Sequence, residues 1–276
     1  MLVFMTAAGP IPSPPRSVLE LFGATEALIR LPTGRGTAWR SGDLVLKPLN
    51  MTHRMLHWQA RVLAGLVDRD DFRVSPPIRA RDGSLCVAGW TCWPYLAGDH
   101  PGREWPEVIA AGQAFHAALA PLARPGFLDD RTDDWAIADR VAWGELPLDV
   151  GERDGSMGEL ARRLAPVDQH NQLIHGDLTG NVLLHERLPP AIVDFSAYWR
   201  PPNYASAIIV ADAMLWHEAD SSVIDAAGHV ADLPQMLLRA LLFRLVTERR
   251  MVGPGPRTAD RYRYAVNTAC RLADAH

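Results

Sequence analysis

The segment Leu173-Ile174-His175-Gly176-Asp177-Leu178-Thr179-Gly180-Asn181-Val182-Leu183-Leu184, followed by Ala191-Ile192-Val193-Asp194-Phe195, constrains this chain most. The apolar runs Val182 to Leu184 and Ala191 to Val193 are too short for a helix, and the turn-forming His185-Glu186-Arg187-Leu188-Pro189-Pro190 separates them. They predict a β-hairpin. Such a hairpin brings Asn181, at the entry of its first strand, close to Asp194, at the exit of its second.

An Asp and an Asn side by side supply the oxygen ligands that Mg2+ prefers, the other positions being filled by phosphate oxygens and water. Asp177, four residues before Asn181, is then left to orient or deprotonate a substrate hydroxyl. A second signal is compositional. Of 28 basic residues 27 are arginines, and the one lysine is Lys47. A chain so biased towards Arg keeps a Lys where a compact ammonium on a flexible stem is needed and a planar guanidinium does not fit. Lys47 closes the short strand Asp43 to Lys47, after the turn Ser41-Gly42. Just upstream, Pro32 to Arg40 carries Gly34 and Gly36, a turn able to bring backbone N–H groups close to phosphate.

Taken together, His175-Gly176-Asp177, Asn181 and Asp194-Phe195 resemble the catalytic loop and metal-binding hairpin of the aminoglycoside phosphotransferase and choline kinase group, relatives of the protein kinases. The resemblance implies an α+β, two-lobed protein kinase-like fold, with a small N-terminal β-rich lobe and a larger helical C-terminal lobe. It implies ATP and Mg2+ as cofactors, Asp177 as catalytic aspartate with His175 supporting its loop, and Asn181 and Asp194 as metal ligands. Lys47 matches the lysine on the α- and β-phosphates. Two positions depart from the pattern: Asp177 and Asn181 are four residues apart rather than five, and Gln59 stands where a helix glutamate would face the lysine. Gln59 can accept a hydrogen bond from Lys47 without neutralising it. The expected activity is transfer of the γ-phosphoryl group to a hydroxyl of a small-molecule acceptor. The alternative is a catalytically silent nucleotide-binding or scaffold protein of the same fold. A two-metal phosphoesterase would also use His175, Asp177 and Asn181, but it leaves the single lysine unexplained.

The rest of the chain is read around this core. Thr52 to Leu66, apolar at Met55, Trp58, Val62, Leu63 and Leu66, predicts a helix capped by Thr52. Leu85 to Trp93 predicts a buried strand running into the connector Pro94-Tyr95-Leu96-Ala97-Gly98. In a kinase-like fold this connector is the hinge, and adenine would hydrogen-bond to backbone at Tyr95 and Leu96, since Pro94 has no N–H. Helices are expected at Trp105 to Leu122, with His116 packed inside, and at Asp134 to Leu146, Ser156 to Ala165, Ala205 to His217, Pro234 to Arg250 and Thr258 to Asp274. Strands first and helices after fit α+β. The divisions expected are a flexible leader at 1–16, a nucleotide-binding lobe at 17–94 and a helical lobe at 95–276.

Net charge of −4 gives no reason to expect nucleic acid as a partner. No apolar run is long enough for a membrane span, and Met1 to Ala8 lacks the basic start of a signal peptide. Three cysteines without metal-like spacing point to reduced thiols and a cytoplasmic location. Asp212, Glu218, Asp220, Asp225 and Asp232 form an acidic stretch that would favour a cationic or polyhydroxylated acceptor if it bordered the acceptor pocket, and is otherwise a solvated surface. Arg200 is a candidate phosphate clamp or a partner for an acid, and Asn203 a candidate brace for the catalytic loop. Neither the acceptor nor the oligomeric state is legible.

Overall fold

Among the described residues five short strands and two helices make up about the first third of the chain, and helices dominate the remainder. The computed structural model describes residues 13–32, 36–152, 155–253 and 256–275. In chain order come α1 (Arg16–Phe22), β1 (Ile29–Arg30), β2 (Trp39–Ser41), β3 (Leu44–Pro48), α2 (His53–Ala64), β4 (Arg73–Val74), β5 (Trp90–Pro94), α3 (Trp105–Leu119), α4 (Asp134–Ala142) and α5 (Ser156–Ala161). They are followed by β6 (Gln172–His175), β7 (Val182–Leu183), β8 (Ala191–Ile192), β9 (Ala197–Arg200), α6 (Pro202–Trp216), α7 (Val223–Ala226), α8 (Leu233–Val252) and α9 (Pro256–Asp274). Two compact units result: one runs to His100 and takes in Gly180–Phe195, the other holds Pro101–Thr179 and the chain from Ser196 onward.

In the first unit β1, β2, β3 and β5 form an antiparallel sheet in that order. Side chains alternate along β3, so Leu46 is buried with Cys92, Trp90, Val18 and Phe22, while Lys47 points to the opposite face. The sequence reading starts the last strand at Leu85. It starts at Trp90, because Ala88 and Gly89 both have positive φ (46° and 79°) and make a two-residue turn closed by reciprocal Val87–Trp90 backbone bonds. The leader reading also stops short of a helix: residues 1–12 lie outside the described residues, but α1 begins at Arg16, and Val18 and Phe22 fill the sheet core. Seven residues carry too little period to betray a helix. As expected, Thr52 caps α2, its Oγ1 accepting from Met55 N at 3.2 Å.

The hairpin forms as the short apolar runs predict, with Val182 opposite Ile192 and Leu183 opposite Ala191. It joins the first unit because β8 also pairs in parallel with β4, Arg73 opposite Ala191. In the second unit β6 and β9 pair antiparallel, with Ile174 opposite Tyr198, and α3, α4, α6, α8 and α9 pack together. Residues Tyr204 to Leu215 of α6 are all buried, so this helix is enclosed on every side and lies in the core. Among the described residues no helix is long and apolar enough to cross a membrane.

Candidate active site

Within the first unit the hairpin and β3 bring together the residues singled out for phosphate and metal. Val193 N donates to Asn181 O at 2.9 Å, extending the β7–β8 ladder so that Asn181 lies beside the residue preceding Asp194. Asp194 then turns into the left-handed region, with φ of 51°, a conformation that non-glycine residues rarely hold without support. Its carboxylate Oδ1 is ion-paired with Lys47 Nζ, and the ammonium also lies 4.6 Å from the centre of the Trp93 ring. The pair is partly open, with Asp194 half exposed.

Gln59 takes another place than the one expected. Its Nε2 donates to the Phe195 carbonyl at 2.6 Å, and the neighbouring Trp58 ring stands 5.8 Å from that of Phe195. An amide can donate where a glutamate cannot, so Gln59 braces the backbone that follows Asp194, and the cation's partner is Asp194 itself. The connector is also more engaged than predicted. Tyr95 N donates to Asp43 O at 2.8 Å, one step beyond the last β3–β5 pair, so this N–H is not on offer to adenine. Arg40 stacks 3.6 Å from the Tyr95 ring centre, and Leu96 follows half-buried. Gly34 lies outside the described residues. Gly36 has φ of 63°, and its carbonyl accepts from Arg30 Nε at 2.9 Å.

Asn181 and Asp194 each have a side-chain oxygen of the kind a hard divalent ion takes, and in this structure one Asp194 oxygen is paired with Lys47. Among the described residues no group of three or more His, Cys, Asp or Glu side chains is placed to hold a metal ion by itself.

Within the second unit His175 ends β6 and Asp177 follows on a braced turn. Gly176 N donates to Ser196 O at 3.0 Å, and Asp177 N donates to His175 Nδ1 at 3.1 Å. His175 N in turn donates to Nε2 of His116 at 3.0 Å. His116 is fully enclosed in α3, and burial, with His175 as the second cause, pushes it down to about 3, so it is a neutral acceptor. Its packed-helix reading stands, and His175 supports the loop through hydrogen bonds. Gly176 is needed here because a Cβ would stand 2.5 Å from the Tyr198 ring.

Arg244 escaped the sequence reading, and Asp212 entered it only as one acid of a longer stretch. Arg244 of α8 donates from Nη2 to Asp177 Oδ1 at 2.9 Å and makes a forked pair with Asp212 of α6, at 2.7 and 2.6 Å. The signal was present: each charge interrupts an apolar run, Arg244 between Leu241-Leu242-Phe243 and Leu245-Val246, Asp212 between Val210-Ala211 and Ala213-Met214-Leu215. Such charges are buried only when paired. Asp212 therefore separates from the acidic stretch with which it was grouped. Asn203 does not brace the loop; its Nδ2 donates to Gln169 Oε1 at 3.1 Å. Arg200 takes the second of its two readings, paired with Asp139 and Glu145.

No protein-family model and no curated protein sequence matches the chain. Solved structures do. A microcompartment-associated aminopropanol kinase superposes with a TM-score of 0.62 at 16% identity, over 94% of this chain and 95% of that one. An aminoglycoside phosphotransferase from Alicyclobacillus acidocaldarius gives 0.61 at 13% identity, over 97% and 98%. An amicoumacin kinase solved with AMP-PNP and Ca2+ gives 0.58 at 12% identity, over 94% and 93%. The chain thus has the α+β protein-kinase-like fold that these small-molecule phosphotransferases share.

Proposed function

We propose that this protein is an ATP-dependent small-molecule kinase that transfers the γ-phosphoryl group to a hydroxyl of its acceptor. The observation that carries the reading is the contact between Lys47, the only lysine in the chain, and Asp194, which follows the hairpin. In phosphoryl transfer the protein contributes mostly position and charge. Lys47 would place its ammonium on the nucleotide phosphates. Asn181 and Asp194 would hold Mg2+, which when bound neutralises charge on the phosphate oxygens. Asp177 would accept the proton of the attacking hydroxyl, presented by the turn that His175 braces. The reading draws further support from the nucleotide analogue and divalent cation bound to one protein of the same fold.

Calorimetry tests it. Wild-type protein is expected to bind ATP in a Mg2+-dependent manner, with affinity lost in Lys47→Ala and Asp194→Ala; unchanged affinity in both variants would overturn the proposal. Screening hydroxyl acceptors for ADP release should then reveal turnover that Asp177→Asn lowers by about 10²–10⁴-fold, the usual worth of a general base. The silent nucleotide-binding reading draws on Gln59, which is engaged with Phe195 and not with Lys47. Binding without turnover on any acceptor would favour it.

A further inference from the structure

Arg244 is almost wholly enclosed, its side chain 1% exposed, and so is Asp212 at 2%, whereas Asp177 is 39% exposed. Burial by itself would push the Arg244 guanidinium down; the Asp212 and Asp177 carboxylates outweigh that and hold it above the ordinary arginine value. A buried ion pair of this kind is a poor source of stability, because apolar side chains of similar volume often serve the fold as well or better. What an apolar pair cannot do is donate a hydrogen bond to a third residue. The fork to Asp212, made through Nε and Nη2, sets the plane of the guanidinium, and Nη2 of that oriented group also reaches Asp177 Oδ1. Asp212 is further tied by Trp216 Nε1 at 3.3 Å, so the anchor is itself anchored. On its backbone side Asp177 is held by His175 Nδ1. Asp177 is thus held at its backbone from β6 and at its carboxylate from α8, whose Arg244 is anchored by α6.

We propose that Arg244, oriented by Asp212, is a positioning residue that fixes the rotation of the Asp177 carboxylate and so presents it to the acceptor hydroxyl. The proposal rests on the reading of Asp177 as the proton acceptor. Arg244, enclosed in the helical core, acts through Asp177. A helix-core residue that served stability alone would act on the whole second unit, whereas a positioning residue acts on the loop and through one side chain.

The test is a mutant cycle read by hydrogen exchange and by kinetics on the full chain. Arg244→Met is expected to speed amide exchange at 176–179 by about tenfold or more while α3 keeps its protection. In an Asp177→Ala background the same substitution should add little, since its route of action is gone. Where turnover is measurable, Arg244→Met should lower kcat by about tenfold or more with ATP affinity and acceptor KM little changed, and Arg244→Lys should recover part of the loss. Should the unpaired Asp212 unfold Arg244→Met, the Arg244→Met/Asp212→Leu variant, which replaces the pair by apolar groups, and Arg244→Lys carry the same measurements. Loop exchange unchanged in these variants, or raised equally throughout the second unit and additively with Asp177→Ala, would overturn the proposal. Failure of the kinase reading is separate: it shows as absent ATP binding in wild type, and the exchange cycle still decides the role of Arg244.

Discussion

At the scale of single residues, His116 shows how a buried neutral side chain serves the loop at second hand. Its Nε2 accepts from the backbone of His175, whose Nδ1 accepts from Asp177 N. With its folded value pushed down to about 3 and an unfolded value near 6.5, the unfolded chain takes up the proton first as pH falls. The stability due to neutral His116 is therefore complete above about pH 6.5 and is lost progressively towards about pH 3, at up to about 1.4 kcal/mol per pH unit. Urea unfolding across this range should show a shallower acid slope in His116→Asn than in wild type, together with lower stability at neutral pH. Equal slopes would mean that His116 is not the group responsible. The packed character of His116 was legible because its helix has an apolar period; the bond to His175 was not, since it joins residues 59 positions apart.

At the scale of elements, long periodic segments were read well, and so was the short β7–β8 hairpin, marked by the turn residues between its strands. Thr52 with the apolar spacing behind it marked α2, and Pro202 starts α6 before the expected Ala205 because proline suits the first turn of a helix. Strands of two residues, such as β1 and β4, have no period to read. The junction of β6 and β9 is an element-scale constraint carried by one glycine. Gly176→Ala would drive a Cβ to within 2.5 Å of Tyr198, a ring that also lies 4.8 Å from the Arg131 guanidinium. Overpacking of this kind should cost about 1–3 kcal/mol, measured as a lower urea midpoint. A midpoint unchanged from wild type would show that β9 yields without cost.

At the scale of the molecule, a ligand that binds only the folded chain stabilises it by mass action. Saturating Mg2+ and ATP at about 100 times the dissociation constant should add about 2.7 kcal/mol, visible as a higher Tm. Under the proposed function the rise is expected in Asp177→Asn, whose side chain serves the acceptor, and absent in Lys47→Ala and Asp194→Ala. A rise retained in all three variants would place the nucleotide elsewhere. The α+β order, the hairpin that sets Asn181 beside the approach to Asp194, and the turn carrying Asp177 could be read from the residues alone, because each is encoded by near neighbours through period, turn chemistry and chain length. Partners across long separations emerge from the packed fold: Lys47 with Asp194, 147 residues apart, Gln59 with Phe195 rather than with the lysine, and Arg244 with Asp177. The reason is physical. Local propensity acts over a few residues, whereas the partner of a buried charge is chosen by which helices pack together and by the cost of leaving that charge alone in an apolar interior.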